Sequence, residues 1–348
     1  MCGIVGYIGH RSAADVVVDG LTRLEYRGYD SAGIVTADKQ AHLEVVKRAG
    51  KLSILKEALK TNPLNGNIGI GHTRWATHGK PNDINSHPHL TEDSKLAVIH
   101  NGIIENYMSL KESLISKGHV FVSDTDTEVI VHLIEEYYEG RIVPAVQRAL
   151  KDVVGAYAIV VSHIDHDILI AARATSPMVI GIGEDENFVA SDVPALLPYT
   201  KEVIFLQDGD MALIEKDRIG LRDFDGNEIE REISTIQWDA EAAEKAGFEH
   251  YMLKEIYEQP TVLQNTFGGR FAPNGMDVEL GLGLDVHKIN RIVITAAGTA
   301  YYSGAVGEYL IEQLALLPTE IELASEFRYR KPILSEHTAL LFLSQGRR

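Results

Sequence analysis

The chain contains a single cysteine among its 348 residues, and this residue is Cys2, directly after the first methionine. One thiol excludes a disulfide framework and a metal site built from several thiolates. Basic residues are also scarce, since 33 Lys and Arg stand against 50 Asp and Glu, and the net charge of −17 argues against a nucleic-acid-binding face. The sequence has neither an apolar run long enough to span a bilayer nor the basic and apolar regions of a signal peptide. These absences predict a cytoplasmic enzyme or binding protein that contacts no membrane.

The position of Cys2 in the chain is more informative than the absence of other cysteines. A chain terminus is a poor place for core packing, and no partner thiol exists. If Met1 is removed, Cys2 carries both a thiol and a free α-amino group, whose unperturbed pKa is about 7.7–8.0. Part of the population then holds an unprotonated base beside the thiol at neutral pH. Nucleophile and base on one residue are the arrangement of N-terminal-nucleophile hydrolases.

The hydrophobic pattern divides the chain into two predicted domains. Residues 1–236 contain strands and helices in separate blocks, which favours an α+β sandwich. Residues 237–248 form a polar stretch rich in Ala, Glu and Lys, which we interpret as a linker. Residues 249–348 alternate between helices and strands, which is typical of the start of a parallel α/β sheet.

Individual elements are predicted from apolar residues that recur every two positions in strands and every three or four in helices. In the first domain we expect helices at 13–24, 104–117, 127–138 and 143–152, and strands at 3–8, 32–36, 67–71, 95–100, 156–163, 167–172, 178–182, 187–190, 203–206 and 210–215. In the second domain we expect helices at 249–266 and 303–316, and strands at 291–297, 319–324 and 339–344.

Two polar, glycine-containing segments of the first domain are candidates for binding. Residues 24–33 (LEYRGYDSAG) lie between a predicted helix and strand, where a plain turn and a functional loop are equally consistent with the pattern. Residues 71–79 (GHTRWATHG) close a predicted strand. Within them Arg74 is a candidate for holding a carboxylate through two parallel hydrogen bonds. The glycines at both ends would allow this segment to move as a lid.

Two further segments have both structural and functional interpretations. In residues 100–106 (HNGIIEN), the Asn-Gly pair is a strong hairpin signal, but a helical pattern follows. The amide and the glycine N–H would also suit a tetrahedral oxyanion. In residues 123–128 (SDTDTE), Thr125 and Glu128 fit a capping box for the next helix. Asp124 and Asp126 would complement that helix terminus, or one of them would bind an ammonium group.

The pair His87 and His89 is a rival site, because two histidines one residue apart can chelate a metal. A third ligand would have to come from elsewhere in the chain, and no local carboxylate accompanies the pair. We therefore prefer structural roles for both histidines, and we predict no metal and no organic cofactor.

Together these five segments, from Cys2 to residues 123–128, resemble the glutaminase domain of class II glutamine amidotransferases. Residues 250–260 (HYMLKEIYEQP) and 324–330 (ASEFRYR) are more specific, and they resemble the glutamine–fructose-6-phosphate aminotransferase family. The resemblance implies the αββα sandwich of N-terminal-nucleophile hydrolases followed by a sugar-isomerase domain. It also implies L-glutamine and D-fructose 6-phosphate as substrates, glucosamine 6-phosphate as product, and a homodimer for the full-length family.

The resemblance assigns roles to individual residues of this chain. Cys2 would attack the side-chain amide of glutamine, forming a glutamyl thioester and releasing ammonia, with its own α-amine moving the proton. The other roles are oxyanion stabilisation by Asn101 and Gly102, glutamine binding by Arg74, Thr77, His78 and Asp126, organisation of the site by Arg27, and gating of ammonia by Trp75.

In the second domain the resemblance implies sugar-phosphate binding at two turns, which here contain Gly298, Thr299, Ser344 and Gln345. Family members usually have Ser where Ala300 stands, and the donors expected after residue 345 are replaced by Gly346-Arg347-Arg348. The residues that the family uses for ring opening and isomerisation are absent from the sequence. We therefore expect a truncated member with a complete glutaminase half and an inactive synthase half.

Two alternatives stay open. Another class II amidotransferase, such as amidophosphoribosyltransferase, would need a phosphoribosyl-pyrophosphate loop after residue 240, and none is visible. A non-enzymatic module that senses sugar phosphates would use the strand–turn–helix at residues 291–316. Such a module would bind phosphosugar after Cys2→Ala, whereas the enzyme would lose glutamate release with that substitution.

Overall fold

The computed structural model describes residues 2–38, 43–75, 79–237, 248, 250–267, 278 and 285–344. The chain divides into two units, Met1–Tyr251 and Met252–Arg348. The domain limits expected from the sequence stay a prediction, because most of the linker at 237–248 lies outside the described residues. Among the described helices, none is long and apolar enough to cross a membrane.

The helices of the described residues have the following bounds: α1 Ala13–Leu24, α2 Leu52–Thr61, α3 Tyr107–Ser116, α4 Glu128–Glu136, α5 Ile142–Asp152, α6 Tyr251–Phe267, α7 Thr299–Ala315 and α8 Ala324–Tyr329. The strands of the first unit are β1 Gly3–Ile8, β2 Ser31–Ala37, β3 Glu44–Ala49, β4 Ile68–Arg74, β5 His89–Leu90, β6 Leu96–Ile104, β7 Gly155–His163, β8 His166–Ala174, β9 Val179–Ile182, β10 Asn187–Ala190, β11 Glu202–Phe205, β12 Asp210–Ile214, β13 Ile219–Asp223 and β14 Ile233–Thr235. Those of the second unit are β15 Arg291–Ala296, β16 Thr319–Leu323 and β17 Thr338–Leu343.

The strands of the first unit form two antiparallel sheets. The first sheet has the strand order β14-β11-β9-β10-β1-β4-β2-β3, and the second has the order β13-β12-β8-β7-β6-β5. In the first sheet, β1 pairs with β4 so that Gly3 lies opposite Thr73 and Ile4 lies opposite His72. Because of this register, the first residues of β1 and the last residues of β4 lie at the same end of the sheet.

Alternation along the strands builds the layers of the sandwich, because successive side chains of a strand point to opposite faces. In β1, Val5 and Tyr7 join a buried cluster with α1 and α2. Ile4 and Ile8 join a different cluster, which contains residues of the second sheet such as Ile99. The other face of the second sheet packs on α4 and α5. The first unit is therefore the αββα sandwich, which confirms the predicted fold class.

Helix α1 has the limits that its sequence pattern predicts. Its apolar face, including Val17 and Leu21, is buried in the cluster between α1, α2 and the first sheet. Ser12 lies at the N-cap, and its hydroxyl accepts a hydrogen bond of 3.4 Å from the Asp15 N–H. The amphipathic pattern and the cap thus act together to set the start of this helix and the face that it buries.

The second unit contains a parallel sheet with the strand order β16-β15-β17. Strand β15 pairs in parallel with both neighbours, so that Ala296 lies opposite Leu323 and Leu343. Helix α7 follows β15 after a short turn, which confirms the predicted strand–turn–helix. This helix begins at Thr299, four residues before the predicted start at 303, because Gly298 already forms its N-cap.

One alternative that the short motifs left open is now decided, and one expectation is wrong. Asn101 and Gly102 do not turn a hairpin, since both lie inside β6, and the chain continues into α3, in agreement with the helical pattern that follows them in the sequence. The capping box at residues 125–128 is not formed, because the N-cap of α4 is Thr127, whose side chain makes no capping hydrogen bond. The carboxylate of Glu128 instead accepts the Val122 and Ser123 N–H groups at 2.8 Å each, which ties the preceding turn to the helix.

Candidate active site

The candidate site lies where the layer between the two sheets changes from apolar to polar. The apolar side chains of this layer include Ile4, Ile70 and Ile99. Cys2, His72 and Asn101 each lie two residues from one of these isoleucines, toward the same end of the sandwich. They lie on the same face as the isoleucines, because strand side chains alternate with a period of two. Arg74, two residues after His72, is the next residue of β4 on that face. The polar cluster is therefore the continuation of the buried interior, and its members come from both sheets.

Cys2 is held by the backbone of Trp75. The Trp75 N–H donates to Cys2 Sγ at 3.1 Å, and the Trp75 carbonyl oxygen lies 3.5 Å from the same sulfur. Burial raises the pKa of the Cys2 thiol, although the Trp75 N–H and the Arg74 guanidinium act to lower it. The thiol therefore needs a base before it can act as a nucleophile.

Asn101 lies between Cys2 and His72. Its Nδ2 donates to the backbone oxygen of Cys2 at 3.1 Å, and its Oδ1 lies 2.8 Å from His72 Nε2. Because an amide oxygen only accepts, Nε2 of His72 is the donor in the second bond. Burial lowers the pKa of His72 to about 3, so the ring is neutral and carries its proton on Nε2. An amide nitrogen has two N–H groups, and the bond to Cys2 uses one of them.

Gly102 follows Asn101 with a backbone conformation that favours glycine, since its φ is +137°. A Cβ at this position would lie 1.9 Å from the carbonyl oxygen of Ala156 on the neighbouring strand. The residue is exposed, although it belongs to β6. No side chain therefore covers the backbone at Gly102, and a substrate can approach it.

Arg74 supplies a positive charge that acts on the thiol, and Asp126 supplies a negative charge that acts on Arg74. Both residues are 4% exposed. Arg74 Nη2 lies 3.5 Å from the carbonyl oxygen of Gly79, and Asp126 Oδ2 accepts the Ile104 N–H at 2.8 Å. Burial lowers the pKa of Arg74, while the charges of Cys2 and Asp126 act to raise it. The cationic Arg74 and the anionic Asp126 interact electrostatically. They are complementary to the α-carboxylate and the α-ammonium of an amino acid.

The remaining residues predicted for this site are only partly described. Thr77 and His78 lie outside the described residues, as does the side chain of Arg27, whose backbone ends a short 3-10 helix, Glu25–Arg27. The Trp75 side chain is 45% exposed. Its ring meets Tyr29 edge-on, with the centroids 5.4 Å apart.

A layer of buried histidines supports the site. The sequence predicted structural roles for two of them, His87 and His89, but did not place them beside His72 or His100. The ring of His87 stacks on His72 with the centroids 4.3 Å apart. His87 and His100 both contact the Thr127 hydroxyl, at 3.3 and 2.8 Å, and His89 contacts a threonine hydroxyl at 3.0 Å. Burial lowers the pKa of His87 and His89 well below the usual range. The sequence feature that could have placed His72 in this layer is its two-residue spacing from Ile70, which puts both side chains on the same face of β4.

Comparison with known proteins identifies the family. A family model described as "Glutamine amidotransferase domain" matches residues 59–217, and one described as "SIS domain" matches residues 285–348. A glutamine–fructose-6-phosphate aminotransferase (isomerizing) of Thermus thermophilus is 57% identical over 346 residues, which are 99% of this chain and 57% of that protein. The protein of the same name from Escherichia coli is 47% identical over 99% of this chain and 58% of its own length. The chain belongs to the glutamine–fructose-6-phosphate aminotransferase family. It spans slightly more than half the length of these relatives.

Two solved structures have a similar fold at low sequence identity. Glutamine phosphoribosylpyrophosphate amidotransferase from B. subtilis has a TM-score of 0.58 and 23% identity, covering 92% of this chain and 65% of that one. A structure described as the allosteric regulatory enzyme of purine biosynthesis has a TM-score of 0.59 at the same identity and coverage. At this identity the likeness shows the fold alone. The sequence match to the aminotransferase family is much closer.

In the second unit, three of the four residues predicted to bind a sugar phosphate are described. Gly298, with a φ of +59°, is the N-cap of α7, and Thr299 is its first residue. Ser344 directly follows β17, the neighbour of β15 in the sheet. The carboxyl ends of parallel strands meet at one edge, so Gly298 and Ser344, which follow neighbouring strands, lie at the same edge of this sheet. Gln345 lies outside the described residues.

Proposed function

We propose that the first unit hydrolyses the side-chain amide of glutamine with Cys2 as the nucleophile. The observation that supports this most directly is the convergence of Cys2, Asn101 and Arg74 at one end of the layer between the sheets. A thiol, an amide donor and a guanidinium together match the reacting carbon, the developing oxyanion and the carboxylate of an amino-acid amide. The names and family of the curated relatives agree with this chemistry.

In the proposed reaction the α-amine of Cys2, exposed by removal of Met1, takes the thiol proton. Sulfur then bonds to the amide carbon of glutamine, and the carbonyl oxygen becomes an oxyanion that accepts hydrogen bonds from Asn101 Nδ2 and the Gly102 N–H. Each such donor contributes about 3–4 kcal/mol to transition-state stability in other enzymes. The α-ammonium returns the proton to the leaving nitrogen, the carbon–nitrogen bond breaks, and ammonia leaves. Water then cleaves the glutamyl thioester and yields glutamate.

Substrate binding in this proposal uses the charged pair beside the thiol. Arg74 binds the α-carboxylate of glutamine together with Thr77 and His78, and Asp126 binds the α-ammonium. Arg27 organises the amino-terminal site, and Trp75 gates the released ammonia. Electrostatic contact of Arg74 with both Cys2 and Asp126 supports the first two of these roles.

For the second unit we propose binding of a sugar phosphate at the turn that contains Gly298 and Thr299, with Ser344 and Gln345 at the neighbouring turn. A helix N-terminus presents free backbone N–H groups to an anion, which supports this assignment. The full family reaction would use the ammonia to convert fructose 6-phosphate to glucosamine 6-phosphate. We expect the 348-residue polypeptide to release glutamate without forming that product, and to form the homodimer implied by the family.

The proposal is tested with the purified 348-residue polypeptide. Intact mass should show loss of Met1, glutamate release should be measurable, and Cys2→Ala should abolish it. Glucosamine 6-phosphate is measured in parallel with fructose 6-phosphate present, and sedimentation gives the oligomeric state. Persistent glutamate release by Cys2→Ala, or by protein that retains Met1, would contradict the proposed nucleophile.

A further inference from the structure

Two imidazoles and a carboxylate converge at a second place in the first unit, apart from Cys2. His119 follows α3, and His132 and Glu135 lie three residues apart on α4, a spacing that places them on one helix face. The Nδ1 atoms of both histidines lie 3.1 Å from the same oxygen, Oε2 of Glu135. Ligand atoms of the three residues all lie within 4.8 Å of one another.

The two separations from Glu135 Oε2 are close to those around a tetrahedral ion. With metal–nitrogen and metal–oxygen bonds near 2.0–2.1 Å, neighbouring ligand atoms of a tetrahedral zinc site are about 3.3 Å apart. The two 3.1 Å separations from Glu135 Oε2 are close to this value. Two nitrogens and one oxygen also favour zinc-like ions over magnesium or calcium, which prefer oxygen ligands.

A carboxylate lies near the far side of each imidazole, within hydrogen-bond distance for His119 but not for His132. Nε2 of His132 lies 3.8 Å from Glu128 Oε1, and Nε2 of His119 lies 3.2 Å from Glu136 Oε2. A carboxylate behind a metal-binding histidine orients the ring and increases its basicity. Glu136 also pairs with Lys117 at 2.8 Å, so that part of its charge is already balanced.

The cluster borders a cavity of about 320 Å³, whose lining includes His119, His132 and Glu135 together with Glu92 and Lys117. His132 is buried, whereas the other two ligands are partly exposed. The cavity therefore gives an ion a path from solvent and leaves room for a water molecule at a fourth coordination position. Glu92 and Glu135 make this entrance acidic, and Lys117 is the cation that faces it.

We propose that His119, His132 and Glu135 form a binding site for a divalent transition metal of the zinc type. In the protein without metal, both Nδ1 atoms donate hydrogen bonds to Glu135. When the ion binds, it replaces the proton on each Nδ1, and that proton passes to Nε2 of the same ring or, from a protonated ring, to solvent. The metal would link the segment after α3 to α4. Its expected effect is structural, because the cluster includes no residue assigned to glutamine.

The test uses the full chain with Cys2→Ala, so that the thiol cannot bind zinc. Metal-free protein is titrated with zinc chloride, passed through a desalting column, and analysed for zinc per chain and for melting temperature. We expect one zinc per chain and a raised melting temperature. Cobalt(II) in the same protein should give the visible absorption of a tetrahedral site.

The variants His119→Gln and Glu135→Gln, made separately, should weaken zinc binding at least tenfold and remove the increase in melting temperature. The matched control is His337→Gln, which changes a histidine that lies 3.6 Å from a glutamate in the second unit, and it should leave zinc binding unchanged. Circular dichroism of each metal-free variant checks the fold. Absence of retained zinc, or equal retention by the two variants and the control, would overturn the proposal.

Discussion

His72 and Asn101 join the two sheets of the sandwich through one hydrogen bond, with His72 Nε2 2.8 Å from Asn101 Oδ1. His72 lies on β4 of the first sheet, and Asn101 lies on β6 of the second. The bond turns the amide nitrogen of Asn101 toward Cys2, where it contacts the backbone oxygen at 3.1 Å. A buried, neutral histidine therefore positions the amide that we propose as an oxyanion donor.

Replacing His72 by Ala should lower kcat for glutamine hydrolysis by roughly ten- to a hundredfold with little change in KM. The reason is that Asn101 Oδ1 loses its buried donor, and a buried unpaired group costs about 1–3 kcal/mol. Steady-state kinetics check this, together with the free energy of unfolding. His72→Gln retains an N–H donor and should recover part of kcat, so an equal loss in both variants would argue against positioning.

Replacing Asn101 by Asp should lower kcat by roughly 10²–10³, the usual effect of removing one oxyanion donor. The carboxylate still accepts the bond from His72, so the link between the sheets is kept while the donor to the oxyanion is lost. KM should change little, because the interaction is made in the transition state. A rise in KM with unchanged kcat would place Asn101 in substrate binding instead.

Replacing Arg74 by Lys should raise KM for glutamine with a smaller effect on kcat. Lysine keeps the charge but loses the planar pair of donors, and a hydrogen bond to a charged group is worth about 1.5–3 kcal/mol. The same variant is assayed with 4-aminobutanamide, which lacks the α-carboxylate. Its hydrolysis should be nearly equal in wild type and variant, and an equal loss for both substrates would contradict carboxylate binding.

Replacing Gly102 by Ala should destabilise the fold, because the new Cβ would lie 1.9 Å from the Ala156 oxygen and φ is +137°. The matched control is Gly118→Ala, which has a φ of +103° and no neighbour within 4 Å of the new Cβ. The control carries only the backbone strain, about 1–3 kcal/mol. Urea unfolding should show a larger loss of unfolding free energy for Gly102→Ala than for Gly118→Ala. Equal losses would show that the contact with Ala156 adds nothing to the backbone strain.

Acid should destabilise the first unit through its buried histidines. The folded pKa of His72 is lowered to about 3, from about 6.5 in the unfolded chain. Between these values the unfolded state binds more protons, so the stabilisation present above pH 6.5 is lost as the pH falls toward 3. Each such histidine contributes a slope of about 1.4 kcal/mol per pH unit.

The measurement is the free energy of unfolding between pH 7 and pH 4.5. This window excludes the main titration of Glu128, whose folded pKa is lowered to about 2 and whose stabilisation is lost below about pH 4.5. His72→Gln should make the slope shallower. An unaltered slope in His72→Gln would show that this ring is not held neutral.

Most of the regular structure was predictable from the sequence. Helix α1 has the predicted limits, and the predicted β1 is also observed unchanged. Helix α2 and strand β3 were missed. The spacing of Leu52, Leu55, Ala58 and Leu59 is amphipathic and could have indicated α2. The edge strand β3 buries only Val46, so its sequence carries little strand pattern.

The sequence by itself determined the chemistry that is available: a lone thiol at position 2, an arginine at position 74 whose guanidinium can hold a carboxylate, and motifs that identify the family. These features are local, because residue type and the spacing of neighbours carry them. Only the tertiary structure decided that Asn101 belongs to a strand rather than a hairpin turn, and that His72 supports it from the opposite sheet. Contacts between residues 29 positions apart depend on strand register and on the stacking of two sheets, which no local pattern specifies.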